Sequence, residues 1–487
     1  MNYEQIIQLA LERGFYFPSC EIYSDAHAGF WEYGPSGVSL KNKFIDLWRR
    51  ELVRRDRMWE IDGSQIMSQS VFTASGHLSS FADPIITCQK CKSIFRADKL
   101  IAEVTSIVVP ESADLEQFDK VISEKNVRCP KCKGSFDNAK KFNMMFKVGI
   151  GPQNEAAYLR PETCQSIFVD FPRLYKTMRG RLPIGVAQIG KSFRNEISPR
   201  QSLLRLREFY QAEIEVFCNP NKLDELDGFS AVENTVVRLM VDDNTIKAVT
   251  CKEALESGML PNKLVAYYLA LLVEFYQKTG IDVNKSRFRK LGDKEKAFYA
   301  SVAFDFEVET TIGWLELVAC NYRSDYDLKS HGNVSKEKFE VLTDDNVKVL
   351  PHVFELSMGI DRSLYTILEH SFREDKENDR VVLSLKPYLA PVHVGILSLM
   401  KKDGLAEKTE EVFSKIKTKY DAFLDHSGAI GRRYRRLDEV GAPFAVTVDH
   451  QTLQDDTVTI RMRDSMSQER IKISDLDSYL TRSVSYP

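Results

Sequence analysis

The chain has 487 residues, 43% of them apolar and 28% charged, with a formal net charge of −3. This composition can bury the cores of roughly two to four domains and excludes a chain disordered throughout. The near-neutral balance gives no global basic field, and the best apolar run, Leu264 to Val273, stops far short of the ~20 residues that cross a bilayer, so no membrane partner is expected.

The N-terminus, MNYEQIIQLALERG, reads as an amphipathic helix with an early acid. It lacks the basic start and long apolar run of a secretory signal. Nine cysteines without such a signal argue for a reducing, cytoplasmic setting over a disulfide framework. After the Gly34-Pro35 turn, Leu40, Phe44, Leu47 and Trp48 recur at helical spacing and predict a second helix with one apolar stripe.

Two CxxC pairs follow, Cys88 with Cys91 and Cys129 with Cys132. Two such knuckles can supply four thiolates to one tetrahedral Zn²⁺, and the alternative is four structural or redox cysteines. The residues between them imply an inserted arm, placing a zinc-ribbon-like insertion at 86–147. The five remaining cysteines stand singly in apolar surroundings and read as small core residues.

Residues 184–194 and 207–217 predict two antiparallel strands joined by a polar loop. In the second, Tyr210, Ala212, Ile214 and Val216 share one face, and Phe209, Gln211, Glu213, Glu215 and Phe217 the other. Acids and a glutamine beside an aromatic suit the floor of a polar cleft. A helix around 263–279 falls in an insertion at about 218–300, and REDKENDR (373–380) reads as a linker. The last hundred residues alternate strands and helices. Within them RRYRR (432–436) is either a solvated helix face or a nucleic-acid contact.

The segment Phe193-Arg194-Asn195-Glu196, then a loop, then Arg207-Glu208-Phe209 and an alternating strand, resembles motif 2 of the class II aminoacyl-tRNA synthetases. HVFELSMGIDRSLYTILEH (352–370), with Gly359 and Arg362, resembles motif 3, and the helix after Gly34-Pro35 sits where motif 1 belongs. WEYGPSGVSLKN (31–42), the CxxC pairs, RPETCQSIF (160–168), GWLELVACNYRSDYDL (313–328) and GRRYRRLDEVGAPF (431–444) resemble the dimeric glycyl-tRNA synthetases of the archaeal and eukaryotic form. Cys164, Ser166, Ala319 and Leu356 depart from the expected Ala, Gly, Gly and Pro.

The resemblance implies an α+β fold: an antiparallel class II sheet of six or seven strands flanked by helices in residues 1–380, and a C-terminal α/β anticodon-binding domain in 381–487. It implies a homodimer that activates glycine with ATP and transfers it to the 3′ end of tRNA(Gly). Arg194, Glu196 and Arg362 would be catalytic. ATP would meet Arg194, Asn195, Glu196, Leu204, Arg205, Leu206, Arg207, Glu208, Phe209, Glu316, Leu317, Gly359, Ile360, Asp361 and Arg362, with Glu316 holding Mg²⁺. Glycine would meet Arg96, Glu162, Phe209, Tyr210, Gln211, Ala212, Glu213, Arg323, Glu355, Leu356, Ser357, Met358 and Gly359. Contacts to tRNA would come from Arg432, Arg433, Tyr434, Arg435 and Arg436. Rival readings are a synthetase for another amino acid of the class, and a non-catalytic relative that binds nucleic acid.

Overall fold

The computed structural model describes residues 3–110, 113–199, 201–242, 245–293 and 295–486. Among these residues a nine-stranded sheet forms the centre. Its strands lie in the order Thr245–Thr250, Val236–Asp242, Ser286–Lys290, Val302–Thr310, Gly313–Ser324, His352–Gly359, Glu208–Cys218, Ile184–Phe193 and Trp59–Ile61. Neighbours are antiparallel except at two pairs, Trp59–Ile61 with Ile184–Phe193 and Val236–Asp242 with Ser286–Lys290. The sheet is wider than the sequence predicts. Part of the surplus comes from 218–300, which adds three strands around its helices Cys251–Glu256 and Lys263–Thr279 and is not purely helical. Thr245–Thr250 is a largely exposed edge strand, so it has no apolar alternation to reveal it.

The register sets the chemistry of each face. Gln211 lies opposite Gly359, Glu213 opposite Ser357 and Glu215 opposite Glu355. Glu213 also lies opposite Gln188 on the other neighbouring strand, and Glu355 opposite Asn321. Residues paired in this way share a face. The reverse face carries Ala212, Ile214, Val216, Leu356 and Met358 into the main core, with helix Lys263–Thr279 and the stripe Leu364, Ile367 and Leu368. Helix Pro35–Trp48 joins the same core through Leu40, Phe44, Leu47 and Trp48, the stripe the sequence predicts. Pro35 suits its first turn because no helical hydrogen bond is lost there.

The polar face is closed by helix Cys164–Thr177. Its Ile167, Phe168 and Phe171 pack on Val186, Phe217 and Val353, and Phe171 stacks on Phe217 with centroids 3.7 Å apart. This apolar lock fixes the start of the helix over the acids. Gly190 admits Arg160 beside it, since a Cβ there would lie 2.1 Å from Arg160 Nη2.

Strands Ala82–Thr87, Ile94–Arg96 and Lys140–Asn143 form a separate small sheet bearing both CxxC turns. Helices Ala97–Thr105 and Leu115–Glu124 fill the arm between the turns around Ile86, Leu100, Ile101 and Phe118. Residues 394–484 build a mixed five-stranded sheet with flanking helices and its own core.

The polar run read as a linker is instead a hairpin, Phe372–Asp375 with Arg380–Leu383. Arg380 is buried and reaches Asp375, Asp438 and the Arg463 carbonyl at 2.7, 3.0 and 2.8 Å. Arg461 shares Asp438 from the other side. A charge run normally reads as solvated. Here the partner lies 58 residues away in sequence, where no local pattern shows it.

Candidate active site

The open ends of the central strands surround a cleft. Arg194, Glu196, Leu204, Arg205, Leu206, Phe209, Tyr210, Gln211, Glu316, Leu317, Ser357, Gly359, Asp361 and Arg362 line it, as the motifs imply, together with Leu203, which they do not. Arg194 is braced by the Pro161 carbonyl at 3.1 Å, and its guanidinium lies between the rings of Phe209 and Phe81, 5.3 and 5.4 Å from their centres. Arg362 sits in the first turn of helix Ile360–Ser371, where the helix dipole adds positive potential. It contacts the Leu204 carbonyl at 3.2 Å and the Glu316 carboxylate at 3.4 Å. Two arginines with fixed stems and planar forks facing one cleft form a receptor for phosphate oxygens.

Other assigned residues do structural work. Arg205 pairs with Glu196 at 2.6 Å. Arg207 binds the Glu196 and Ala28 carbonyls, the Asn195 amide binds the Met144 carbonyl, and Glu208 pairs with Lys191. Asn195, Arg207 and Glu208 therefore brace the loop and are not among the cleft-lining residues. Asp361 accepts from the Tyr210 amide at 2.6 Å and from the Tyr33 hydroxyl. Burial pushes its carboxyl up to about 6.

Behind the cleft lies a packed pocket of acids. Gln211 Nε2 donates to Glu213 and to Ser357 Oγ at 2.6 and 2.7 Å. Ser357 and Thr163 also donate to Glu213, at 2.8 and 2.6 Å. Glu162 accepts from Gln165 at 2.8 Å and faces His77 at 3.3 Å. Glu355 accepts from Asn321 at 2.6 Å and Arg323 at 2.9 Å. Arg323 also forks onto Asp327, with both contacts at 2.7 Å, and lies 3.7 Å from the Tyr299 ring centre. All four acids and Arg323 are buried.

Their protonation differs by neighbour. Burial opposes charge on Glu162, yet His77 and Arg323 outweigh it and hold that carboxyl well below the usual range. Burial and then the Glu162 charge push Glu213 up. Burial pushes Glu355 up to about 7 despite Arg323.

Four assignments to these pockets are corrected by alternation. Ala212, Leu356, Met358 and Ile360 pack into the main core on the reverse face. Arg96 is engaged by Asp83 at 2.9 Å and Asp98 at 2.8 Å and does not line the cleft. The sequence reading places Glu215 on the acid face of the cleft floor without assigning it a ligand, gives no role to Thr163, Gln165, Asn321 and Asp327 although they lie within quoted motifs, and misses His77. Two carried a signal: Asn321 stands two residues before Arg323, and Glu215 two after Glu213, each on the same strand face.

The four knuckle cysteines converge. Their Sγ atoms all lie within 4.8 Å of one another, with Cys88 and Cys132 at 3.5 Å and Cys91 and Cys129 at 3.6 Å. Tetrahedral thiolates at ~2.3 Å from zinc stand about 3.8 Å apart, so the donor set fits that ion. Ser93 pulls the Cys91 thiol down to about 6, favouring the ligating form. Glu316, which faces Arg362, lies near Asp305, and burial and then the Glu316 charge push Asp305 up to about 7 despite its ion pair with Arg289.

The basic cluster occupies helix Ile430–Val440 and is divided in role. Arg433 is buried and donates to the Ser398 carbonyl at 2.7 Å and the Asp425 carbonyl at 3.2 Å. Arg436 pairs with Asp425 at 2.6 Å, and the Tyr434 hydroxyl bonds Thr447 at 2.6 Å. These three hold the domain together. Arg432 is exposed, and Arg435 is half-buried beside the Asn378 carbonyl.

Residues 146–371 match the family described as tRNA synthetase class II core domain (G, H, P, S and T), and residues 393–483 match the anticodon binding domain. Together with the sheet and cleft, these place the chain among the class II aminoacyl-tRNA synthetases. The crystal structure of the RNA binding domain of threonyl-tRNA synthetase from Cryptosporidium parvum Iowa II shares the fold, with a TM-score of 0.61 at 18% identity over 100% of this chain and 99% of that one. Glycine–tRNA ligase of Methanocaldococcus jannaschii is 38% identical over 98% of both chains. That of Methanothrix thermoacetophila is 39% identical over 97% of this chain and 95% of its own. The chain belongs to the glycine–tRNA ligase family.

Glu355 holds its proton more tightly in the folded chain than in an unfolded one, where a glutamate titrates at about 4.3. The stability it contributes is full below that value and is lost as pH rises through about 7. Urea titrations should therefore show the wild type losing stability relative to Glu355→Gln across this window. A difference constant with pH would remove the buried-acid account.

Proposed function

We propose that this chain is a glycine–tRNA ligase whose acid pocket holds the glycine ammonium and whose two cleft arginines hold ATP. The observation that carries this reading is the adjacency of the two sites on one sheet face. Phe209 and Gly359 belong to the phosphate cleft, and Gln211 and Ser357 line that cleft while hydrogen bonding to Glu213.

The reaction asks for positioning and neutralisation. A glycine carboxylate oxygen attacks the α-phosphorus of ATP, the α–β phosphoanhydride bond breaks and pyrophosphate leaves; charge grows on the α-phosphate oxygens, and Arg194 opposes it from a braced stem. Arg362 neutralises the far end of the triphosphate, Phe209 gives adenine a stacking face, and Glu196 accepts from its amino group. Bound at Glu316, Mg²⁺ would neutralise phosphate charge, and it prefers few carboxylates. Glu162, Glu213 and Glu355 with Ser357 surround the ammonium, and Arg323 balances them. The pocket is walled by buried side chains bonded to one another, so a substrate larger than glycine overlaps them, and overpacking costs more than an unfilled gap.

Residues 1–380 would form the catalytic domain, with the 86–147 and 218–300 insertions, and residues 381–487 the anticodon-binding domain. The functional unit would be a cytoplasmic homodimer. Cys88, Cys91, Cys129 and Cys132 would hold one structural Zn²⁺, since four thiolates leave no open position. Arg432 and Arg435 would meet tRNA, because Arg432 is exposed and Arg435 is half-buried with only a 4.0 Å ion pair to Asp438, whereas Arg433 is buried and Arg436 pairs with Asp425 at 2.6 Å.

Glycine-dependent ATP–pyrophosphate exchange tests the reading across Gly, Ala, Ser, Thr, Pro and His. Glycine alone should support exchange, and Arg194→Ala should lower it by about 100-fold or more with the fold retained. Exchange with a different amino acid would overturn the pocket, and no exchange at all would favour a non-catalytic relative. Metal analysis of freshly purified reduced protein should find one zinc bound to this cluster, absent in Cys129→Ser. Protein that never contains zinc would sink that site. Arg432→Ala combined with Arg435→Ala should weaken aminoacylation and spare exchange, whereas loss of both would make those arginines structural.

A further inference from the structure

Beneath the proposed amino-acid pocket lies a second set of donors. The Sγ of Cys164 and carboxylate oxygens of Glu215 and Glu355 all lie within 4.8 Å of one another, and all three residues are buried. Cys164 is also within that span of Glu162 and Glu213, so its thiol stands at the meeting point of four carboxylates. Glu215 is fully buried, and neither of its oxygens has a hydrogen-bond partner among the described residues.

The charges do not balance. Arg323 is divided between Asp327 and Glu355, His77 faces Glu162, and buried Arg160 acts on Glu213 and Cys164. Arg323 attracts the Glu215 charge from a distance, and none of the three is hydrogen bonded to Glu215. Burial and then the Glu355 charge hold the Glu215 carboxyl well above the usual range. A buried carboxylic acid without a partner is costly, and a cation placed against it removes that cost. One sulfur and two carboxylates match zinc and its heavier congeners, and hard Mg²⁺ or Ca²⁺ poorly.

We propose that Cys164, Glu215 and Glu355 form an inhibitory site for a thiophilic divalent cation of the zinc class, competitive with glycine. This rests on the glycine-binding reading only for the competition. Cation binding itself does not need it. No electrons move. As the metal–sulfur bond forms, the thiol proton that now points to Glu162 at 3.0 Å leaves to solvent, and Glu215 releases its own. The ion then occupies the charge vacancy that an ammonium would otherwise share, and it draws Glu355 away from Asn321.

Cd²⁺ is the probe, because a cadmium–thiolate bond absorbs in the ultraviolet. Wild type, Cys164→Ala and Cys164→Ser are compared with the four-cysteine cluster intact in all three, so its contribution cancels. The wild type should show one additional cadmium–thiolate equivalent, and Cd²⁺ should raise the apparent KM for glycine with little effect on that for ATP. Both variants should retain exchange activity and lose the extra band, with the inhibition constant raised about tenfold or more. Equal inhibition of wild type and both variants, or an unchanged thiolate band, would overturn the proposal. Absence of glycine-dependent exchange in cadmium-free wild type would instead overturn the functional reading, and the absorption difference would still decide the metal site.

Discussion

Four glutamates are held out of water around the head of one helix, with the buried guanidiniums of Arg323 and Arg160 beside them. Most of the molecule answers to that constraint. Isolated buried charges are strongly unfavourable, so each carboxylate must find a donor, a cation or a proton. Glu162 takes His77 and Gln165, Glu213 takes Thr163, Gln211 and Ser357, and Glu355 takes Arg323 and Asn321. Those donors come from two helices, three sheet strands and one loop. The pocket therefore forms only when those three strands are in register.

The same requirement explains the apolar lock above the polar face. Helix Cys164–Thr177 can carry Thr163 and Gln165 to the acids because Phe168 and Phe171 anchor it over Phe217. On the reverse face, Ala212, Ile214 and Val216 bury against the helices of the main core. One strand thus serves two chemistries at a period of two residues. The pocket has few degrees of freedom left, since Glu162, Glu213 and Glu355 are each already hydrogen bonded to their neighbours.

The anticodon domain obeys a related rule at lower charge density. Asp438 is shared by Arg380 and Arg461, which ties helix Ile430–Val440 to the hairpin after the motif 3 helix. Arginines that look equivalent in RRYRR are split by helical geometry. Arg433 and Arg436 turn inward to Asp425 and its neighbours, while Arg432 remains at the surface.

Local order along the chain was enough to find the second helix, the motif 2 hairpin, the strand that enters the motif 3 helix, and the two cysteine knuckles. Each rests on local spacing, where periodicity and turn chemistry operate. Most of the cleft lining was legible for the same reason, because Arg194, Arg362 and Phe209 lie within compact motifs. Long-range pairing was not legible. Ala212, Leu356 and Met358 flank true pocket residues, and only the pleat turns them to the core. Arg96 belongs to a local pair with Asp83 and Asp98, and the hairpin at 372–383 hid in a charged run because Asp438 lies far along the chain. Tertiary structure alone decided that Glu215 and Cys164 meet Glu355, since register and helix placement bring together groups that share no sequence neighbourhood.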